Sequence, residues 1–201
     1  MSNLEKKVAK NPKNAADWRA LATAYETKHD TQGAITALQH YTQLKPKDQS
    51  GLQELATEYT SLADTYNTQA QSAEIAQETA NLSPTFLPAS NTSLGKAFTS
   101  TTGPLSDPIS NANANTANQT TQTAVQQLTS IESQAEDTFK QLAALSPSDA
   151  SVQIQLGQAA EAANDTASAI AAYKKFLKLA PTDPLAPQVK SVLKQLEPAK
   201  K

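Results

Sequence analysis

The side chains that could carry out catalysis are few and poorly spaced in this sequence. The two histidines, His29 and His40, are eleven residues apart, which is no metal-ligand spacing on a helix. The absence of cysteine excludes disulfides, thiolate nucleophiles and cysteine-bound zinc. The stretch 94–97 contains the Gly-Lys pair of a phosphate-binding loop, but it lacks both the upstream glycine and the following Ser or Thr. This inventory predicts a protein that is not an enzyme.

Two carboxylate pairs lie at the i, i+4 spacing that places side chains on one helix face. They are Glu54 with Glu58 and Glu132 with Glu136. Such a pair could hold a cation, but neighbouring acids on an exposed helix are more often simply solvated. We therefore predict no metal site and no cofactor.

Composition narrows the class of protein further. The 201 residues carry a net charge of −2, which gives no electrostatic footprint for nucleic acid. No apolar run approaches the roughly 18 residues that a membrane helix needs. Glycine occurs only 5 times, and Ala, Gln and Leu are frequent, which favours helices. The sequence predicts an all-α chain without nucleic-acid binding or membrane insertion.

Two apolar stripes at helical spacing lie between residues 15 and 48. The first predicts a helix A, the second a helix B, and a polar turn at 28–30 separates them. The pattern resembles the tetratricopeptide repeat, which reads Trp-x2-Leu-Gly/Ala-x2-Tyr, then Ala, a bulky residue and a terminal Pro. The matching residues are Trp18, Leu21, Ala22, Tyr25, Ala34, Leu38, Tyr41 and Pro46.

Further copies follow, because one such unit cannot bury its apolar face alone. The helix A positions recur 34 residues later, and the whole pattern returns before Pro181, which lies 34 residues after Pro147. The second copy has Leu52, Leu55, Ala56 and Tyr59, and the last has Leu156, Gly157, Ala160, Ala169, Tyr173 and Phe176. The resemblance implies an all-α helical-repeat solenoid.

We divide this single domain into consecutive segments. A helix break is expected near Asp64 or Asn67. Within the insertion, a helix is expected to start near Asp107 and Pro108. The segments are an N-terminal helix (1–14), repeat 1 (15–48), repeat 2 (49–84), an insertion loop (85–117), a degenerate repeat 3 (118–147), repeat 4 (148–183) and a C-terminal capping helix (184–201).

The resemblance also implies where a partner binds. In this family the A helices line a concave groove, and their outward positions contact a protein or peptide ligand. Arg19 is not accompanied by the further basic residues that a carboxylate clamp uses, so a neutral, amide-rich groove is expected. The predicted groove positions are Arg19, Thr23 and Glu26 in repeat 1, Gln53, Thr57 and Thr60 in repeat 2, and Ile154, Gln158 and Glu161 in repeat 4.

Three alternatives stay open at this level. The chain could be an extracytoplasmic structural or assembly domain of a membrane-anchored protein, so its compartment, cytoplasmic or extracytoplasmic, is undecided. The apolar residues of 86–109 could fold back into the groove or present Phe98 to a partner. The terminal helices could stack in a weak homo-oligomer through Leu4 and Val8 or through Leu193 and Leu196.

Overall fold

The computed structural model describes residues 2–82 and 108–197, and all the regular secondary structure in these ranges is helical. The all-α prediction is therefore confirmed. The helices in these ranges are α1 (Ser2–Lys10), α2 (Ala15–Glu26), α3 (Thr31–Leu44), α4 (Gln49–Leu82), α5 (Pro108–Leu145), α6 (Ala150–Ala162), α7 (Thr166–Leu179) and α8 (Ala186–Leu196).

Five of the described helices, α2, α3, α4, α6 and α7, begin at a side chain that accepts a hydrogen bond from a free backbone N–H. Asp30, at the end of the polar turn 28–30, accepts from the N–H of Gly33 at 2.9 Å and so caps α3. Asp165 accepts from the N–H of Ser168 at 3.1 Å in the equivalent turn before α7. Asn14 and Asp149 cap α2 and α6 in the same way. The caps fix where each two-helix unit starts.

The turn between the two helices of a unit has one strained residue. His29, between α2 and α3, has φ 56°, and Asn164, between α6 and α7, has φ 61°. Asparagine tolerates this left-handed region better than most residues, whereas a histidine there costs more. The two turns are therefore built alike from different side chains.

Helices α2 and α3 form one hairpin, and α6 and α7 form another, as predicted for 15–48 and 150–183. Small residues let the backbones approach, since Ala22, Ala34, Ala160 and Ala169 are all fully buried. A Cβ added to Gly157 would lie 2.4 Å from the Tyr173 ring, so only glycine fits there without displacement. The C-terminal helix α8 packs Val189 and Leu193 onto this hairpin.

Helix α4 runs unbroken from Gln49 to Leu82, and the helix break predicted near Asp64 or Asn67 is wrong. The physical reason lies in the sequence, because residues 52–82 contain no Gly or Pro to end the helix. Its apolar stripe also continues, because Ala70 and Ala73 are buried.

Helix α5 begins at Pro108, the predicted position, where a proline suits the first helical turn. Residues 108–117, which the sequence analysis assigned to the insertion loop, are therefore helical. The rest of that predicted loop, 85–107, lies outside the described residues.

The chain divides into two compact units, of which the first holds residues 1–64 and 129–201. Its core packs Leu52 and Ala56 of α4 against Phe139 and Leu142 near the end of α5, with Val152 of α6 alongside. We therefore interpret 49–64 and 129–147 as helix A and helix B of one divided repeat, instead of parts of two separate repeats.

The second unit holds residues 65–128. Its described part consists of the later turns of α4 and the earlier turns of α5. These two segments enclose an open cavity of about 620 Å³. The lining contains Thr, Gln, Ser and Ala side chains and no charged residue.

Candidate functional site

Arg19 on α2 connects three helices. Its guanidinium pairs with the Glu54 carboxylate on α4 and donates a 3.4 Å hydrogen bond to Ser50 Oγ. It also lies 5.0 Å from the centroid of the Tyr41 ring on α3, at cation–π distance. Its charge is therefore matched by Glu54 within the protein, and Arg19 joins α2 to α4.

Tyr41 fixes the start of α4 from the other side. Its hydroxyl donates to the Asp48 carboxylate, and Asp48 also accepts a hydrogen bond from the Ser50 N–H at 3.1 Å. The Tyr41 hydrogen bond lowers the pKa of Asp48 and raises the pKa of Tyr41 itself. A Cβ on Gly51 would lie 2.5 Å from the Tyr41 ring, so the ring rests directly on the α4 backbone.

Three carboxylates gather on the A helices beside this network. Burial raises the pKa of Glu54, and the negative charge of Glu26 raises it further, against the lowering effect of Arg19. Burial also raises the pKa of Glu58, followed by repulsion from Glu26 and Glu54. Repulsion between their charges therefore links Glu26 of α2 with the two glutamates of α4. We call Glu26, Glu54 and Glu58 the acidic face.

The other predicted positions on α2 and α4 surround this face without joining its hydrogen-bond network. Thr23 and Thr57 are exposed, and each hydroxyl donates to the carbonyl four residues earlier, at 3.3 Å and 2.8 Å. Thr60 is exposed and does the same at 2.9 Å, while Gln53 is half-buried. Their accessible surfaces agree with outward positions, but the dominant chemistry here is acidic instead of amide-rich.

The predicted positions on α6 behave differently from one another. Gln158 and Glu161 are exposed, and the Glu161 carboxylate accepts a 2.8 Å hydrogen bond from the Tyr173 hydroxyl. Ile154, by contrast, is a core residue packed with Phe176 and Val189, so it does not face outward as expected.

The sequence analysis did not predict the ion pair between Arg19 and Glu54, because it treated Glu54 and Glu58 as a solvated pair. The available signal was the repeat register, because Glu54 follows Arg19 by 35 residues, one repeat period plus one. That offset places Arg19 and Glu54 at nearly equivalent positions of neighbouring A helices, within reach of an ion pair.

Metal-binding clusters and membrane-spanning helices are both absent from the described residues. Across residues 2–82 and 108–197, no group of three or more His, Asp or Glu side chains is arranged to hold a metal ion. Within the same ranges, no helix combines the length and apolar character needed to cross a membrane.

Comparison with known protein families identifies the repeat. Residues 133–184 match the family model described as tetratricopeptide repeat. The match covers the end of α5, both helices α6 and α7 and the turn that follows, and it supports the predicted resemblance: this part of the chain carries a tetratricopeptide repeat. Curated proteins gave no match to the chain. The repeat indicates a role as a scaffold for protein–protein interaction, in a family that is generally non-catalytic.

Proposed function

We propose that this protein is a non-catalytic scaffold that binds a segment of a partner protein along α2 and α4, and that the segment carries lysine or arginine. The acidic face carries the proposal. In the described part of the chain neither Glu26 nor Glu58 forms an ion pair, and the pKa values of Glu54 and Glu58 are raised mainly by burial, with repulsion between the neighbouring carboxylates added to it. A bound cation would relieve this repulsion.

The neighbouring side chains would complete the contact. Thr23, Gln53 and Thr57 are outward or half-buried on the same helices and can hydrogen-bond to a peptide backbone. Gln158 and Glu161 on α6 are accessible for a longer ligand. Arg19 would act indirectly, by holding Glu54 in place.

A peptide-display library screened against the whole protein tests this proposal. We expect enrichment of peptides that contain Lys or Arg, and weaker binding at higher salt, because exposed charge pairs are screened. The variant Glu26→Gln with Glu58→Gln removes two charges and leaves the Arg19–Glu54 pair intact, so it should reduce capture of the selected peptides about tenfold.

A matched control removes two negative charges elsewhere on α4. Glu74 and Glu78 are exposed residues of α4 in the second unit, so Glu74→Gln with Glu78→Gln should leave capture unchanged. Selection of peptides without basic residues, or equal losses in both double variants, would refute a specific role for the acidic face.

A further inference from the structure

The first unit contains a cavity of its own, which lies between α3, α4 and α5. It measures about 430 Å³, within the range of pockets that hold small ligands or single side chains. Its floor is apolar and comes from α4: Leu52, Leu55 and Tyr59 are 1%, 5% and 3% exposed. The floor therefore consists of buried apolar side chains of which only the edges reach the cavity.

The walls of this cavity are polar. Thr42 on α3 and Thr138 on α5 are buried, and their hydroxyls donate to backbone carbonyls at 2.9 Å and 2.7 Å, so these donors are already used. Gln39 Nε2 donates to the Tyr59 hydroxyl at 2.6 Å. Two more amides, those of Gln43 and Gln141, stand on opposite walls.

Three groups at the rim have acceptor capacity to spare. Gln43, Asp137 and Gln141 are exposed lining residues, and none of their side chains makes a hydrogen bond or ion pair with the described part of the chain. The cation nearest along α5, Lys140, is held by Glu136 at 2.7 Å and by Asp165 at 3.2 Å. The Asp137 carboxylate thus faces the cavity opening without a counter-ion.

We propose that this cavity receives an arginine side chain from a partner protein. The aliphatic stem would cover Leu52 and Leu55, as long charged side chains do on apolar surfaces. The planar guanidinium has five N–H donors and no acceptor, which matches the Asp137 carboxylate and the amide oxygens of Gln43 and Gln141. A lysine ammonium offers three donors around one point and reaches fewer of these acceptors.

The surrounding charges favour a single cation. Lys45 and Lys47 flank Pro46, which is part of the lining, and both lysines are exposed. These two lysines would repel a run of basic residues. A single guanidinium bound to Asp137 would instead lie closest to that carboxylate. The inference is independent of the acidic face, which uses other residues of α4.

Side-chain amide resonances of the isotopically labelled whole protein provide the test. The probe is Nα-acetyl-arginine methylamide, titrated into the tens of millimolar that a ligand of this size requires. We expect saturable shifts in the amide groups of Gln39, Gln43, Gln134 and Gln141. The same derivative of citrulline, which has the shape of arginine without its charge, should bind several-fold more weakly, and so should that of lysine.

Two variants complete the experiment. Asp137→Asn should weaken arginine binding about three- to tenfold, since a charge-assisted hydrogen bond becomes a neutral one at an exposed position. Glu132→Gln, on the same helix but outside the lining, should leave it unchanged. No saturable shift of these amides, equal binding of citrulline, or an unchanged affinity in Asp137→Asn would each overturn the proposal. Loss of the shifts in Glu26→Gln with Glu58→Gln would also overturn it, because the probe would then be bound at the acidic face.

Discussion

Replacing Gly157 by alanine should destabilise the last hairpin even though alanine is the better helix former. A Cβ there would lie 2.4 Å from both Cδ1 and Cε1 of Tyr173, about 1 Å inside an ordinary contact. The Tyr173 ring is only 3% exposed and its hydroxyl is bound to Glu161, so it cannot move away freely. The clash must therefore displace either the ring or the helix.

The size of the effect follows from three contributions. Overpacking a core costs about 1–3 kcal/mol. Weakening the Tyr173–Glu161 hydrogen bond costs about 1 kcal/mol more. The helix propensity of alanine over glycine returns about 1 kcal/mol. We expect a net loss of about 1–3 kcal/mol in the free energy of unfolding, measured by urea denaturation followed by circular dichroism.

The same substitution in a variant that lacks the Tyr173 ring makes the test specific to that ring. The equivalent positions of the first repeat hold Ala22 and Leu38, both fully buried, so the chain already tolerates alanine when the facing residue is leucine. In a Tyr173→Leu background, Gly157→Ala should therefore become neutral or stabilising by up to about 1 kcal/mol. An equal loss in both backgrounds would show that contact with the Tyr173 ring is not the cause.

Four further substitutions have signs that follow from the structure. His29→Gly should raise the free energy of unfolding by about 1 kcal/mol because φ is 56° there, and Asn164→Gly should gain less; equal gains in chemical denaturation would contradict this. Gln153→Met should gain about 1–2 kcal/mol, since Gln153 is 2% exposed and its Nε2 has no partner in the described structure; a loss of stability would show that the amide is satisfied. Glu58→Gln should gain less than about 1 kcal/mol at pH 7: the folded-state pKa of Glu58 is raised above its ordinary 4.5, so the folded protein binds the proton more tightly and stability falls as pH rises through that window. The gain should vanish in thermal melts at a pH well below 4.5, where Glu58 is protonated in both the folded and the unfolded state of the unsubstituted protein, and a gain independent of pH would refute the electrostatic explanation.

Local residue patterns were sufficient to predict both clean hairpins. The alternation of large and small residues on α2 and α3, the Asp30 cap and Pro46 at the end act within one or two helical turns, so they can be recognised without the fold. The same holds for α6 and α7, and for α8, whose apolar residues repeat at helical spacing. The start of α5 at Pro108 is another local signal, because proline is favoured in a first turn.

The divided repeat was decided by packing over a long sequence separation. Helix α4 carries the helix A pattern and Phe139 lies in a helix B position, but more than 80 residues separate Leu52 from Phe139. Nothing local distinguishes a helix that turns back near Asp64 from one that continues, and the continuous helix wins where Gly and Pro are absent.

The sequence by itself determined that the described residues form helices, that residues 133–184 carry a tetratricopeptide repeat, and which large and small residues pack within each hairpin, because helical periodicity and capping are local. Only the tertiary structure decided that Arg19 is matched by Glu54 and that three glutamates meet on one face. It also decided that three polar residues surround an apolar floor beside Tyr59. Charge and acceptor balance at a surface depends on which side chains from different helices come within a few ångströms of each other, and that distance is set by how the helices pack.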